Sequence, residues 1–271
     1  MMEITASVVK ELREKTGVGM MDCKKALAQT QGNFDEAIKY LREKGLSAAA
    51  KKSDRETREG KIFTQVSSDR SKAAVVEISC ETDFVANNDS FGDFGFSIVA
   101  AILTQGIASV EQLEGASLNG RTFQEVVSEA VLKLGENISI RRLALVDGHS
   151  IGQYVHSNGK IGVLVSFDGD VIPEIGKDIS MHIAASSPQF VRKEEVSSTE
   201  IEREAEIIKA QARNEGKAEA ILEKLVLGKI GKFYKDVCLL EQDFVKDPSK
   251  SVSAVLPTDR TVSQFIRFSL I

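Results

Sequence analysis

Twice along this chain two short runs rich in β-branched residues are joined by a polar turn and followed by an amphipathic stretch, and this repeat restricts the fold more than any other feature. In the first copy Lys61–Val66 and Lys72–Ser79 read as strands joined across Ser67, Ser68, Asp69 and Arg70, a hairpin of the longer-loop kind, with a helix expected over Phe91–Leu103. In the second, Ile151–Val155 and Lys160–Phe167 turn at Ser157, Asn158 and Gly159, and a helix follows over Glu174–Ala185. Ile138–Val146 alternates as a third strand for the first copy, after a further amphipathic helix around Thr122–Lys133. Tyr234–Val245 and Thr261–Ile271 are expected as the strands that complete the second. Hairpins with helices against one face give an α+β fold of two related subdomains, each a three-stranded antiparallel sheet.

Ahead of this repeat the period is helical. Val8, Val9 and Leu12, then Met20, Met21, Cys23, Ala26 and Leu27, then Phe34, Ala37, Ile38 and Leu41 mark three short helices. The breaks fall at Thr16–Gly19 and Gln31–Asn33. Asn33 followed by Glu36 is a helix-start signal, and Gly45 is expected to end the third helix in a left-handed cap. The mixed charges of Leu46–Glu59 then read as a helix end and linker. Met20 and Met21 suit either a core or an adaptable contact surface. Gly45–Lys52 is not a phosphate loop, because Ala50 replaces the second glycine and Lys52 the hydroxyl residue that would hold Mg²⁺.

Behind the repeat, Thr199 with Glu202 reads as a capping box that opens a helix. Ile201, Ala205, Ile208 and Ala212 form a narrow stripe, Asn214–Lys217 reverses the chain, and Ala218, Ile221, Leu222, Leu225 and Val226 answer on the returning helix. This antiparallel hairpin either closes on itself or contacts a second molecule, a second copy of the chain included. The expected segments are 1–54 for the three helices, 55–149 for the first subdomain, 150–190 and 232–271 for the second, and 191–231 for the inserted hairpin.

A net charge of -5 argues against a surface dedicated to nucleic acid, and no apolar run approaches the ~18 residues that cross a bilayer. Cys23, Cys80 and Cys238 lie far apart in apolar surroundings, so they read as reduced core residues in a chain that stays in the cytoplasm. His149, His156 and His182 have no metal-ligand spacing, and no nucleophile motif is present, so neither an enzyme nor a resident cofactor is expected.

The stretch Ile78–Asn88 (ISCETDFVANN) concentrates the functional interest. A buried strand ends there in a polar segment that sets Asp83 beside the lone aromatic Phe84. Either Phe84 folds back to cap the core and Asp83 caps the following helix, or the pair is presented to a partner. The matching position of the second copy, Asp168–Asp170, has no phenylalanine.

ETDFVANND, together with LREKTGVGMMDCKKAL near the N-terminus and MHIAAS further on, resembles the bacterial elongation factor Ts family, the guanine nucleotide exchange factors of the GTPase elongation factor Tu. The motifs recur in the family's order, and the likeness covers essentially the whole chain. It implies a ubiquitin-associated-like module in the first three helices, contacting the nucleotide domain of the GTPase. It also implies that Thr82, Asp83, Phe84 and Val85 form a wedge: Phe84 inserts between helices of the GTPase and Asp83 helps displace its Mg²⁺. Further partner contacts are implied at Arg13, Met20, Met21, Asn87 and His182, although from residue type alone His182 reads as a hydrogen-bonded core histidine. Some family members continue into another helix that grips the GTPase, a contact expected to be missing from a chain ending at Ile271. The rival reading is an adaptor that binds ubiquitin-like proteins through the N-terminal helices, which leaves the rest of the chain unexplained.

Overall fold

The computed structural model describes residues 4–270. The chain divides into two compact units, one taking the chain up to Gln65 with Ala74–Leu145 and Leu270, the other Val66–Ala73 and Val146–Ser269. Ile271, the end of the expected last strand, lies outside the described residues.

The first unit opens with α1 (Ala6–Thr16), α2 (Met20–Gln29) and α3 (Phe34–Lys52). Val9, Leu12, Val18, Cys23, Ala26, Leu27, Ala37 and Leu41 pack together as their core. Asn33 caps α3 as expected, its Oδ1 accepting from the Glu36 amide at 3.1 Å. Gly45, however, does not end that helix. It is buried within α3, and a Cβ there would stand 3.1 Å from the Ser128 carbonyl oxygen of a later helix. Close packing thus outweighs the ~1 kcal/mol that glycine costs in a helix interior, and the expected linker is helical to Lys52.

β1 (Glu59–Val66) and β2 (Lys72–Cys80) form the first hairpin. A single turn α4 (Asp83–Ala86) leads to α5 (Asp89–Gln105) and a short α6 (Val110–Glu114). A small ribbon, β3 (Ser117–Leu118) with β4 (Arg121–Thr122), then introduces α7 (Phe123–Leu134) and β5 (Ser139–Asp147). The sheet order is β1-β2-β5. The Gly148 amide, just past β5, donates to the carbonyl of Ser71, just before β2, so those two strands run in opposite directions. Ala74, Val76, Ile78 and Cys80 on one face of β2 pack with Phe91, Phe94, Ile98, Val99 and Ile102 of α5.

In the second unit β6 (Ser150–Val155) and β7 (Ile161–Phe167) pair antiparallel, α8 (Pro173–Ser186) covers them, and the sheet order is β10-β7-β6. The helices α9 (Ser198–Asn214) and α10 (Glu219–Val237) form the inserted hairpin. Two short strands, β8 (Asp243–Phe244) and β9 (Asp247–Ser251), the turn α11 (Val252–Val255) and β10 (Val262–Ser269) complete the unit. In both sheets the second hairpin strand is central and a later strand flanks it, which is the repeat read from the sequence. Val163, Val165 and Phe167 of β7 meet Ile179 and Ile183 of α8. Strand and helix come backbone to backbone at their start, where a Cβ on Gly152 would lie 2.4 Å from the Gly176 carbonyl oxygen.

Two expectations shift here. The capping box of α9 is formed by Ser197 and Glu200, two residues before Thr199 and Glu202, which leaves Ile201 facing the cluster of Val196, Phe190 and Cys238. Tyr234–Val245 is not a strand. α10 runs on to Val237 because Phe233, Tyr234 and Val237 supply a helical face to that same cluster, and only Asp243–Phe244 pairs as β8. The three cysteines are free thiols and buried, as expected of core residues.

Candidate functional site

The turn between β2 and α5 is a compact step held from both ends. Thr82 is extended and caps α4, its Oγ1 accepting from the Val85 amide at 3.4 Å. Asn88 caps α5, its Oδ1 accepting from the Ser90 amide at 2.8 Å. Ala86 is buried and Val85 packs against the first core, so the one helical turn is anchored on that side. The opposite side carries Asp83, Phe84 and Asn87, all exposed, and Phe84 is 84% accessible. Phe84 therefore does not cap the core. The helix caps are Thr82 and Asn88, which leaves Asp83 facing solvent next to the ring.

Beneath the turn two segments exchange carboxylate bonds. Glu136 Oε2 accepts from the amides of Glu81 and Thr82, each at 3.0 Å, and its Oε1 accepts from Thr82 Oγ1 at 2.6 Å. In return Glu81 Oε1 accepts from the Asn137 amide at 2.7 Å. Asn137 Nδ2 donates to the carbonyls of Ser53 and Arg55, which ties the same loop to the end of α3. Cys80 Sγ donates to the Thr82 carbonyl at 3.2 Å, and burial pushes its thiol up to about 12. Sequence reasoning did not find Glu136. One carboxylate in a loop 54 chain positions from Thr82 carries no local signal, and only the fold brings it under the turn.

The remaining expected contacts lie elsewhere. Arg13, Met20 and Met21 share the corner between α1 and α2, where Gly17 is left-handed and donates to the Arg13 carbonyl. Val18 plugs the three-helix core while Met20 and Met21 stay 51% and 65% exposed. The core reading of that methionine pair is thereby set aside. His182 is buried in α8, its Nδ1 accepting from the Val245 amide at 3.1 Å. Nε2 must then carry the proton and donate to Gln242 Oε1 at 2.9 Å, with the Gln242 amide held in turn by the Asp236 carbonyl. Burial lowers the pKa of the imidazole, and the bond to Gln242 only partly offsets this. His182 thus braces the segment that displays the exposed Val245 and is not itself accessible.

The family model described as Elongation factor TS matches residues 81–270, beginning at the candidate turn itself. The chain belongs to the elongation factor Ts family. A curated Elongation factor Ts from Clostridium perfringens strain SM101 is 45% identical over 98% of this chain and 92% of that protein. Those from strains ATCC 13124 and 13 of the same species are 44% identical with the same coverage. Such coverage takes in the N-terminal helices that the family model leaves out. Membership makes the chain a translation elongation factor. Among the described residues no helix is long and apolar enough to cross a membrane.

Proposed function

We propose that this chain is a guanine nucleotide exchange factor that binds the GTPase elongation factor Tu in its GDP form and speeds GDP release without covalent chemistry, in the cytoplasm. The observation that carries the reading is Phe84, an almost fully exposed aromatic on a turn fixed by caps and carboxylate bonds. Holding such a ring in water forgoes the roughly 1.5–3 kcal/mol that burying it would give, and an apolar cleft between partner helices recovers that energy. GDP is held largely by its phosphates and by the Mg²⁺ that bridges them. Phe84 entering between helices shifts the elements that ligate the metal, and the Asp83 carboxylate beside it disturbs the coordination. Thr82 and Val85 set the angle of entry. Arg13, Met20, Met21 and Asn87 offer exposed contacts for docking, and His182 acts indirectly through the Val245 segment.

By linkage the factor binds the empty GTPase more tightly than the loaded one, and nucleotide in turn loosens the factor by the same ratio. The test is release of fluorescent GDP from elongation factor Tu with catalytic amounts of the chain. Acceleration that falls at least ten-fold in Phe84→Ala, with unchanged thermal melting, supports the reading. Asp83→Asn keeps the shape and removes the charge, so its deficit should shrink when Mg²⁺ is chelated. No acceleration by the wild type, with binding to ubiquitin, would replace the proposal with the adaptor reading.

A further inference from the structure

Glu136 belongs to a different part of the chain from the turn, yet through the Glu81 and Thr82 amides and the Thr82 hydroxyl it fixes the hydrogen-bond pattern on which the turn depends. A carboxylate only accepts, so the Thr82 hydroxyl must point its proton at Glu136 Oε1, leaving an oxygen lone pair free for the Val85 amide. The same side chain takes both consecutive amides ahead of the turn, Glu81 and Thr82, on its other oxygen. Glu136 thereby satisfies three donors directly, and the Thr82 oxygen that it orients satisfies a fourth, the Val85 amide, so the single turn α4 gains an orientation that four residues could not hold alone. Glu81 and Asn137 close the arrangement from the other side at 2.7 Å, so the two segments cannot slide past each other.

We infer that Glu136 is a positioning residue for nucleotide exchange, acting through the Thr82 hydroxyl to hold Phe84 and Asp83 at a fixed angle to the partner. The inference rests on the proposed wedge. Without Glu136 the turn keeps its exposed side chains but samples several directions, and only a fraction of encounters present the ring correctly. Docking through the α1–α2 corner is unaffected, so the maximal rate of GDP release falls while the half-saturating concentration of the GTPase stays nearly constant.

The experiment compares GDP release by the full chain carrying Glu136→Ala, Glu136→Gln, Phe84→Ala, or Phe84→Ala with Glu136→Ala, together with amide hydrogen exchange over residues 81–88. Glu136→Ala should lower the maximal rate roughly ten-fold, as expected on losing a set of charge-assisted bonds, and should speed exchange at the Thr82 and Val85 amides. Glu136→Gln should recover part of the rate, because its carbonyl still accepts the two backbone amides while its NH₂ competes for the Thr82 oxygen. The double variant should be no slower than Phe84→Ala alone, since both changes disable one device. Equal and independent losses in the double variant, or a lower rate fully explained by a smaller folded fraction, would overturn the inference while leaving the wedge intact. A wild-type rate in Phe84→Ala would overturn the wedge itself and the inference with it.

Discussion

The ring of Phe63 lies directly over Gly95 of α5, where a Cβ would come within 2.2 Å of its Cζ. Phe63 cannot swing aside cheaply, because Phe91 sits 6.0 Å from it and Phe96 meets it edge-on at 5.2 Å. Gly95→Ala should therefore destabilise the chain by roughly 1–2 kcal/mol, the overpacking cost less the ~1 kcal/mol that alanine gains over glycine in a helix. Thermal melting should drop by about 2–8 °C. A variant that melts at or above the wild type would mean that the ring has room to move.

Met20→Ala with Met21→Ala should leave melting within about 0.5 kcal/mol of wild type, since both side chains are mostly in water. Binding to elongation factor Tu should weaken about five-fold or more if the α1–α2 corner is a docking contact. Titration calorimetry reads this, and unaltered affinity would remove the corner from the interface.

His182 makes stability depend on pH in a defined direction. Burial holds its folded pKa below the ordinary 6.5, so the folded state keeps the ring neutral while the unfolded chain takes up a proton. The stabilisation is present in full above 6.5 and is lost as pH falls from there toward the folded value, at no more than ~1.4 kcal/mol per pH unit. Denaturant unfolding between about pH 7.5 and 5.5, where ordinary carboxylates stay ionised, should show this slope in wild type and a shallower one in His182→Gln. Equal slopes would show that His182 takes up a proton as readily in the folded state as in the unfolded chain.

Replacing Ala205–Gly228 with a short flexible linker should preserve folding and GDP release. The distal hairpin buries Ile208, Ala212 and Leu222 within α9 and α10, whereas Val196, Ile201 and Phe233 at its base stay in place. Closing the shortened loop costs little, since that entropy grows only as the logarithm of length. Loss of exchange in a folded variant would assign the hairpin a part in the reaction, and sedimentation of the two forms reads whether exposed Leu227 and Ile221 support self-association.

The sheets, the repeat and the three N-terminal helices were legible because period and turn chemistry agree along Lys61–Ser79 and Ile151–Phe167. Gly45, read as a helix stop, and Tyr234–Val245, read as a strand completing the second sheet, were both overruled by tertiary contacts, with Ser128 and with Phe190. Ser197 and Thr199 both satisfy the same capping pattern, and only the packing of Ile201 decides between them. Of the candidate site, the turn itself was readable, but the outward direction of Phe84 needed the anchoring of Val85 and Ala86, and Glu136 needed the whole fold.

The contact of Gly152 with Gly176 sets the height of α8, and with it His182, above the second sheet. Most spacings in a protein are adjusted by trading one side chain for a slightly larger or smaller one, so they can drift by small increments. Here the spacing is defined by missing atoms, and the smallest possible increment at Gly152 already collides with main chain. Positions elsewhere along the strand and α8 can change by such small steps in descendants of this sequence, but Gly152 has no first step that leaves the crossing in place.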